Sequence, residues 1–421
     1  MLLGLALSPC AGAAGALPAL DLDFTGGAVD GRITFSRPSA ATRVNAAGLL
    51  ETVASGAPRI DYDPVTLAVR GLLVEEQRTN LGLWAGVVSA GNGWSVSAGS
   101  LTTGIAAPDG GTGAATFTAD GTSGAHFCTS STGVISYTSG TTYALSRLLR
   151  AGSTSLAQLS GPSAAFGGGQ YANFSLTGSG SVLGYAGLVS APKIEAWRNG
   201  WYRCTIVVTA TATSTTNGPV AFAITSGSDA RAPTNTSADS FGIWGDQPEA
   251  GSFSTSLILT GAAQATRAAD VATMLLGPWF NASEGTLLVD AEAPIGVTSG
   301  AYPAYAAFRV GQAGSPDTIE MFCGGTTLNG LVRVAGVDQA GWGPVVAPGS
   351  LFKAAIAYRT NDFAMVLNGG AALTDGSGSL PVVDTLRIGS NTAGSPINSH
   401  IRRLRYYRSR LANAQLQGLT A

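Results

Sequence analysis

The chain has little charge, and the cations it has are almost all of one kind. Charged residues are 11% of 421, against a usual ~25%, and Lys193 and Lys353 are its two lysines. A nucleic-acid partner needs a clustered cationic stripe. The net charge of −2 and the scattered arginines supply none before the C-terminus. There, His400-Ile-Arg-Arg-Leu-Arg-Tyr-Tyr-Arg-Ser-Arg410 is basic, but Ile401, Leu404 and Tyr406 mark it as a strand. Histidine is scarcer still: His126 and His400 are the two present. A Ser-His-Asp triad would have to use one of them. His126 reads as a strand residue, and His400 stands before the last strand. H-E-x-x-H, P-loop and Rossmann patterns are missing. Cys10, Cys128, Cys204 and Cys323 form no C-x-x-C pair, which argues against a structural zinc site. Buried free thiols are expected; a Cys128–Cys204 bridge is left open.

Long apolar runs are also lacking. Residues 1–18, Met-Leu-Leu-Gly-Leu-Ala-Leu through Leu17-Pro18, mimic a secretion signal. No Lys or Arg precedes the run, as a signal requires, and it is too short to span a bilayer. The expectation is an apolar tail that docks on a larger assembly or a neighbouring subunit, with a cleaved signal as the alternative. Membrane insertion is not expected.

What is present is glycine, 58 of 421, with 45% apolar residues. Such a chain is not disordered, and its length suits two or three domains. Short runs of period two alternate with turn residues. No helical periodicity of convincing length is present; the short exceptions are about 412–419 and a turn near Glu75. Leu20-Asp-Leu-Asp-Phe24, Thr142 to Arg150 and Gly285 to Glu292 read as strands. Asn199-Gly200 reads as a hairpin turn before the β-branched Thr205-Ile-Val-Val208. The fold class is all-β: an N-terminal segment over 1–78, then antiparallel β-sandwiches over 79–270 and 271–421, with Thr260 to Asp270 as linker.

The densest local pattern lies between Arg32 and Asn80. It holds Phe35-Ser-Arg37, Ala41-Thr-Arg43, Gly48-Leu-Leu50, Pro58-Arg-Ile-Asp-Tyr-Asp-Pro64 and Gly71-Leu-Leu-Val-Glu-Glu-Gln-Arg-Thr-Asn80. Arginine pairs bidentately with carboxylates and stacks on aromatics. Arg37, Arg43, Arg59, Arg70 and Arg78 are therefore expected to lock the segment, with Asp61, Asp63, Glu75 and Glu76 as nearby partners. These blocks, in this order, resemble the junction region of phage tail-fibre, tailspike and head-spike proteins, including those of gene transfer agents. The resemblance implies a virion-attached base followed by sugar-binding β-domains. Asn80-Leu-Gly-Leu-Trp84, Gly200-Trp-Tyr-Arg203 and Gln247-Pro-Glu-Ala-Gly-Ser-Phe-Ser-Thr-Ser256 resemble a carbohydrate-binding-module jelly roll of such spikes. The ending from Ile401 to Leu416 is similar to the last strand and short helix of laminin-G or concanavalin-A-like sandwiches.

Sugar binding needs exposed aromatic faces with polar groups that fix hydroxyls. The candidates are Trp342, in the turn Gly341-Trp-Gly-Pro344, then Trp244, Trp94, Tyr302 and Tyr305; Trp197 and Trp201 read as core. For catalysis the strongest pair is Asp290 and Glu292, two residues apart and so on one face of a strand. The Glu-x-Asp-x-x-Glu strand of sandwich-fold glucanases is not present, and neither is the solenoid repeat of β-helical depolymerases. No cofactor is expected; calcium on Asp21, Asp23, Asp61 or Asp63 is left open, without an EF-hand loop. The resemblance implies a non-enzymatic virion spike that adsorbs to bacterial capsular polysaccharide, acts as a trimer or pentamer, and contacts other virion proteins through residues 1–78. A capsule-degrading glycanase and a structural adaptor are the alternatives.

Overall fold

The computed structural model describes residues 17–295, 305–312, 314–391 and 395–421. The apolar N-terminal run and Cys10 lie outside the described residues.

The chain is all-β, built from antiparallel sheets packed as sandwiches, with a single α-helix of more than one turn among the described residues, Asn413–Thr420. Two six-stranded sheets face each other across one core. An eight-stranded and a seven-stranded sheet enclose a second. In the first, Thr142–Ala151 runs between Trp201–Thr209 and Ser240–Ala250. Alternation sends Tyr143, Leu145 and Leu149 inward against Tyr202, Cys204, Ile206 and Val208. The expected hairpin turn is present: Asn199 and Gly200 both have positive φ, 59° and 74°, which an Asn-Gly pair tolerates.

The segment expected to stand apart as a junction is woven into the second sandwich. Leu20–Asp23 pairs with Arg403 to Tyr406, and Val69–Val74 pairs with Ser399 to Ile401. Ile60–Tyr62 lies beside Val69–Val74, and Thr34–Ser36 pairs with Val271–Leu275. The cause lies in its pattern: Leu20, Leu22, Ile60, Leu72 and Val74 are buried. Each such side chain contributes about 1.5–3 kcal/mol when it leaves water, which a free-standing segment could not realise.

The last strand, Ser399–Tyr407, carries an irregularity that positions polar groups. Its partner register steps from Asp290↔Arg403 to Ala291↔Ile401, so Arg402 is an extra residue. Such a bulge reverses side-chain parity. Ile401 and Leu404 can therefore both reach the core, while His400 and Arg402 both face a cavity on the other side. Gly71 lies against this bend with φ 117°, where a Cβ would strike the Ile401 carbonyl; only glycine suits that position.

Candidate functional site

The bend and the hairpin build the two walls of one cavity, about 770 Å³ in volume. On the hairpin, Glu195 stands opposite Arg203 and Lys193 opposite Thr205. Since Ile194 and Cys204 point into the first core, these four project outward and line the cavity. The facing wall carries Asp61 and Arg70 from the N-terminal strands, Glu292 from the end of Glu284–Glu292, and His400 and Arg402 from the last strand. Segment 252–257 closes one side, and Tyr62 and Trp197, each packed in part against a core, also border the space.

His400 is the hub of the second wall. Its Nε2 lies 2.9 Å from Asp61 Oδ2 and its Nδ1 3.1 Å from Glu292 Oε2. Arg70 donates to both Glu292 oxygens at 2.7 Å. Asp61 also accepts the Val44 amide at 2.7 Å. Burial alone would raise the Glu292 carboxyl; His400 and Arg70 outweigh it and hold the pKa at about 2. Glu292 is thus ionised and cannot serve as a general acid near neutrality. Asp290 shares its face of the strand, as expected, and lies 3.5 Å from Arg402; burial raises its pKa. The two carboxylates on His400 sit on opposite ring nitrogens, so they do not converge on one ion. Among the described residues no group of three or more His, Cys, Asp or Glu could hold a metal. Of the aspartates considered for calcium, Asp21 and Asp23 pair with Arg403 and Asp63 accepts the Val65 and Thr66 amides.

Behind the cavity lies a buried ionic network. Asp270 holds Arg37 with one oxygen and Arg59 with the other. Arg59 and Arg267 both reach Glu75, at 2.8 and 3.0 Å. Ser256 binds Glu75 through its amide and hydroxyl, at 2.7 and 2.6 Å. Burial pushes the Glu75 carboxyl up, but Arg267, Arg59 and Ser256 hold it well below the usual range. Sequence reading expected the arginines to be locked and missed this hub, because Asp270 looked like linker. Its signal was an isolated acid beside Arg267. The motif from Gln247 to Ser256 is equally structural. Glu249 accepts the Thr255 amide and hydroxyl, and Gln247 accepts the Ile258 amide. Its end, Ser256, is then fastened to Glu75.

Two of the aromatic candidates are core residues. Trp244 is fully buried and donates from Nε1 to the Gly86 carbonyl at 2.9 Å. Trp94 is 2% exposed, with the Arg147 guanidinium 4.9 Å from its ring centre. Trp244 lies within the strand Ser240–Ala250, and Trp94 follows the short turn Ala90–Asn92; both belong to the first core. Trp342 ends the edge strand Val337–Trp342, half-buried against the second core. Tyr302 lies outside the described residues; Tyr305 begins Tyr305–Gly311, its side chain outside them as well. Trp201 is core as expected; Trp197, read as core, is half-buried, packs against the first core and also borders the cavity. His126 pins loops, with Nδ1 2.7 Å from the Ala98 carbonyl and Nε2 3.1 Å from that of Asn235. Cys128, Cys204 and Cys323 are buried free thiols.

No family model matches the chain, and no curated protein does. Among solved structures, parts of it are similar to the CBM40 module of the Ruminococcus gnavus IT-sialidase bound to α2,3-sialyllactose. The identity is 15% and the TM-score 0.29, over 34% of this chain and 84% of that one. Domain 4 of AbnA, an extracellular GH43 arabinanase from Geobacillus stearothermophilus, in complex with arabinotriose, matches at 14% and 0.28, over 38% and 77%. The binding domain of botulinum neurotoxin serotype D matches at 10% and 0.29, over 36% of this chain and 39% of that one. This chain thus spans about two fifths of the neurotoxin fragment. At this level of likeness no ligand carries over to it.

Proposed function

We propose that the chain is a receptor-binding spike or fibre of a phage or phage-like particle, such as a gene transfer agent. It adsorbs the particle to bacterial surface polysaccharide by binding without turnover. The observation that carries the sugar-binding reading is the 770 Å³ cavity, bordered by Trp197, Tyr62 and fixed polar side chains. An aromatic face with convergent donors suits a pyranose. The ionised Glu292, held by Arg70 and His400, supports binding rather than acid catalysis. The ordered blocks between Arg32 and Asn80 support the particle assignment, with attachment through residues 1–78. Many copies, as trimers or pentamers on one particle, would give weak sites avidity. Trp342 is kept as a second, peripheral platform.

The test is direct. Purified protein is mixed with a panel of bacterial capsular polysaccharides, and both binding and polymer length are read. Binding with unchanged length supports the proposal. Shortened polymer would make the protein a glycanase, and silence across the panel would favour an adaptor role.

A further inference from the structure

The two walls of the cavity are not equivalent in charge. Its carboxylates are already engaged. Asp61 and Glu292 hold His400, and Glu292 also holds Arg70. Glu195 takes the Lys193 ammonium at 2.7 Å. Asp63 is capped by two amides.

Arg203 is the exception among the buried cations. It is 6% exposed and lines the cavity. Its Nη1 donates to the Thr255 carbonyl at 2.7 Å, and its Nε and Nη2 to Ser146 Oγ at 3.3 and 3.0 Å. Those acceptors are neutral, and Arg203 makes no ion pair among the described residues. Glu195 faces it across the strand pair but is bonded to Lys193. Glu249 reaches the other side of Thr255 and spends its oxygens on the amide and hydroxyl there. A guanidinium this deep is costly unless an anion meets it. Arg43 also lines the cavity and holds Glu51 only at 3.3–3.4 Å.

We propose that this cavity selects saccharides bearing a carboxylate, of the uronic-acid class, with the sugar acid on Arg203 and support from Lys193 and Arg43. Arg203 is the specificity residue. It has donors to spare in the planar fork that matches a carboxylate. The inference rests on the carbohydrate reading above.

The experiment compares uronic-acid-containing capsular polysaccharides before and after chemical reduction of their carboxyls to alcohols. Acidic polymer is expected to bind about tenfold tighter or better, the size of one charge-assisted contact, and to weaken with added salt. Arg203→Gln should erase the difference. Because Arg203 also holds Thr255, that variant could fail to fold, so two milder ones accompany it. Lys193→Gln leaves Glu195 unneutralised and should weaken acidic polymer only. Glu195→Gln removes a repelling charge and should strengthen it, a gain that a purely structural role would not give. Equal binding of native and reduced polymer would overturn the charge selection while leaving sugar binding intact. If neither form binds, and neutral glycans do not either, the carbohydrate reading itself falls.

Discussion

Asp61 and His400 are 339 residues apart and meet at 2.9 Å. Glu292 takes the other ring nitrogen, so three strands from distant parts of the chain are tied at one imidazole. His400→Ala should free both carboxylates and lower stability by more than the ~1 kcal/mol of an exposed pair. Urea unfolding checks this; an unchanged midpoint would contradict the tie.

The Glu292 carboxyl gives a pH prediction. Its pKa is about 2 in the fold, against 4.5 for a free glutamate. A depressed carboxylate stabilises the folded state above its unfolded pKa and loses that contribution as pH falls toward the folded one. Stability should decline between pH 4.5 and 2 by on the order of 3 kcal/mol from this group. Urea unfolding of Glu292→Gln should show a shallower decline in that window. An unchanged profile would mean that Glu292 is not held as described.

Asp270 is the keystone of the network behind the cavity. Asp270→Ala would leave Arg37 and Arg59 buried without that partner. Breaking such a pair costs about 3–5 kcal/mol, read as a lower urea midpoint with an unchanged slope. A loss below about 1 kcal/mol, the range of exposed pairs, would show that the network is dispensable.

Much of this was legible before the fold. The Asn199-Gly200 turn, the strand ending at Glu292 and the C-terminal helix follow from short-range pattern. So does the shared face of Asp290 and Glu292. What was hidden depends on distance in sequence. Arg70 finds Glu292, not the nearby Asp61 or Asp63, because strand order rather than proximity sets its neighbours. Trp197 read as core because a β-branched strand follows it, yet it stands at the hairpin end, where the sheet borders a space. The bulge at Arg402 has no signature except the odd spacing of Ile401 and Leu404.

Gly71 tests the bend itself. Gly71→Ala places a side chain at φ 117° against the Ile401 carbonyl. Backbone strain of this kind costs about 1–3 kcal/mol, and the steric conflict adds to it. Thermal unfolding should fall accordingly, and binding at the cavity should weaken because His400 and Arg402 lose their placement. A fully stable variant would mean that the bend is not constrained as described.

The thiols should be silent. Burial pushes Cys128 and Cys323 up to about 12 and raises Cys204 as well. A thiol reagent at neutral pH should label them only after denaturation, and rapid labelling of the native protein would contradict their burial.

The central claim is that the cavity bordered by Trp197 holds sugar without cutting it. The most direct measurement is calorimetric titration of the wild-type protein and Trp197→Ala with capsular polysaccharide fragments, followed by sizing of the polymer. The account predicts that wild type binds and that Trp197→Ala loses about tenfold or more, the scale of a stacked aromatic in a binding centre. Polymer length should stay constant. Undiminished binding by Trp197→Ala, or shortened polymer, would contradict it.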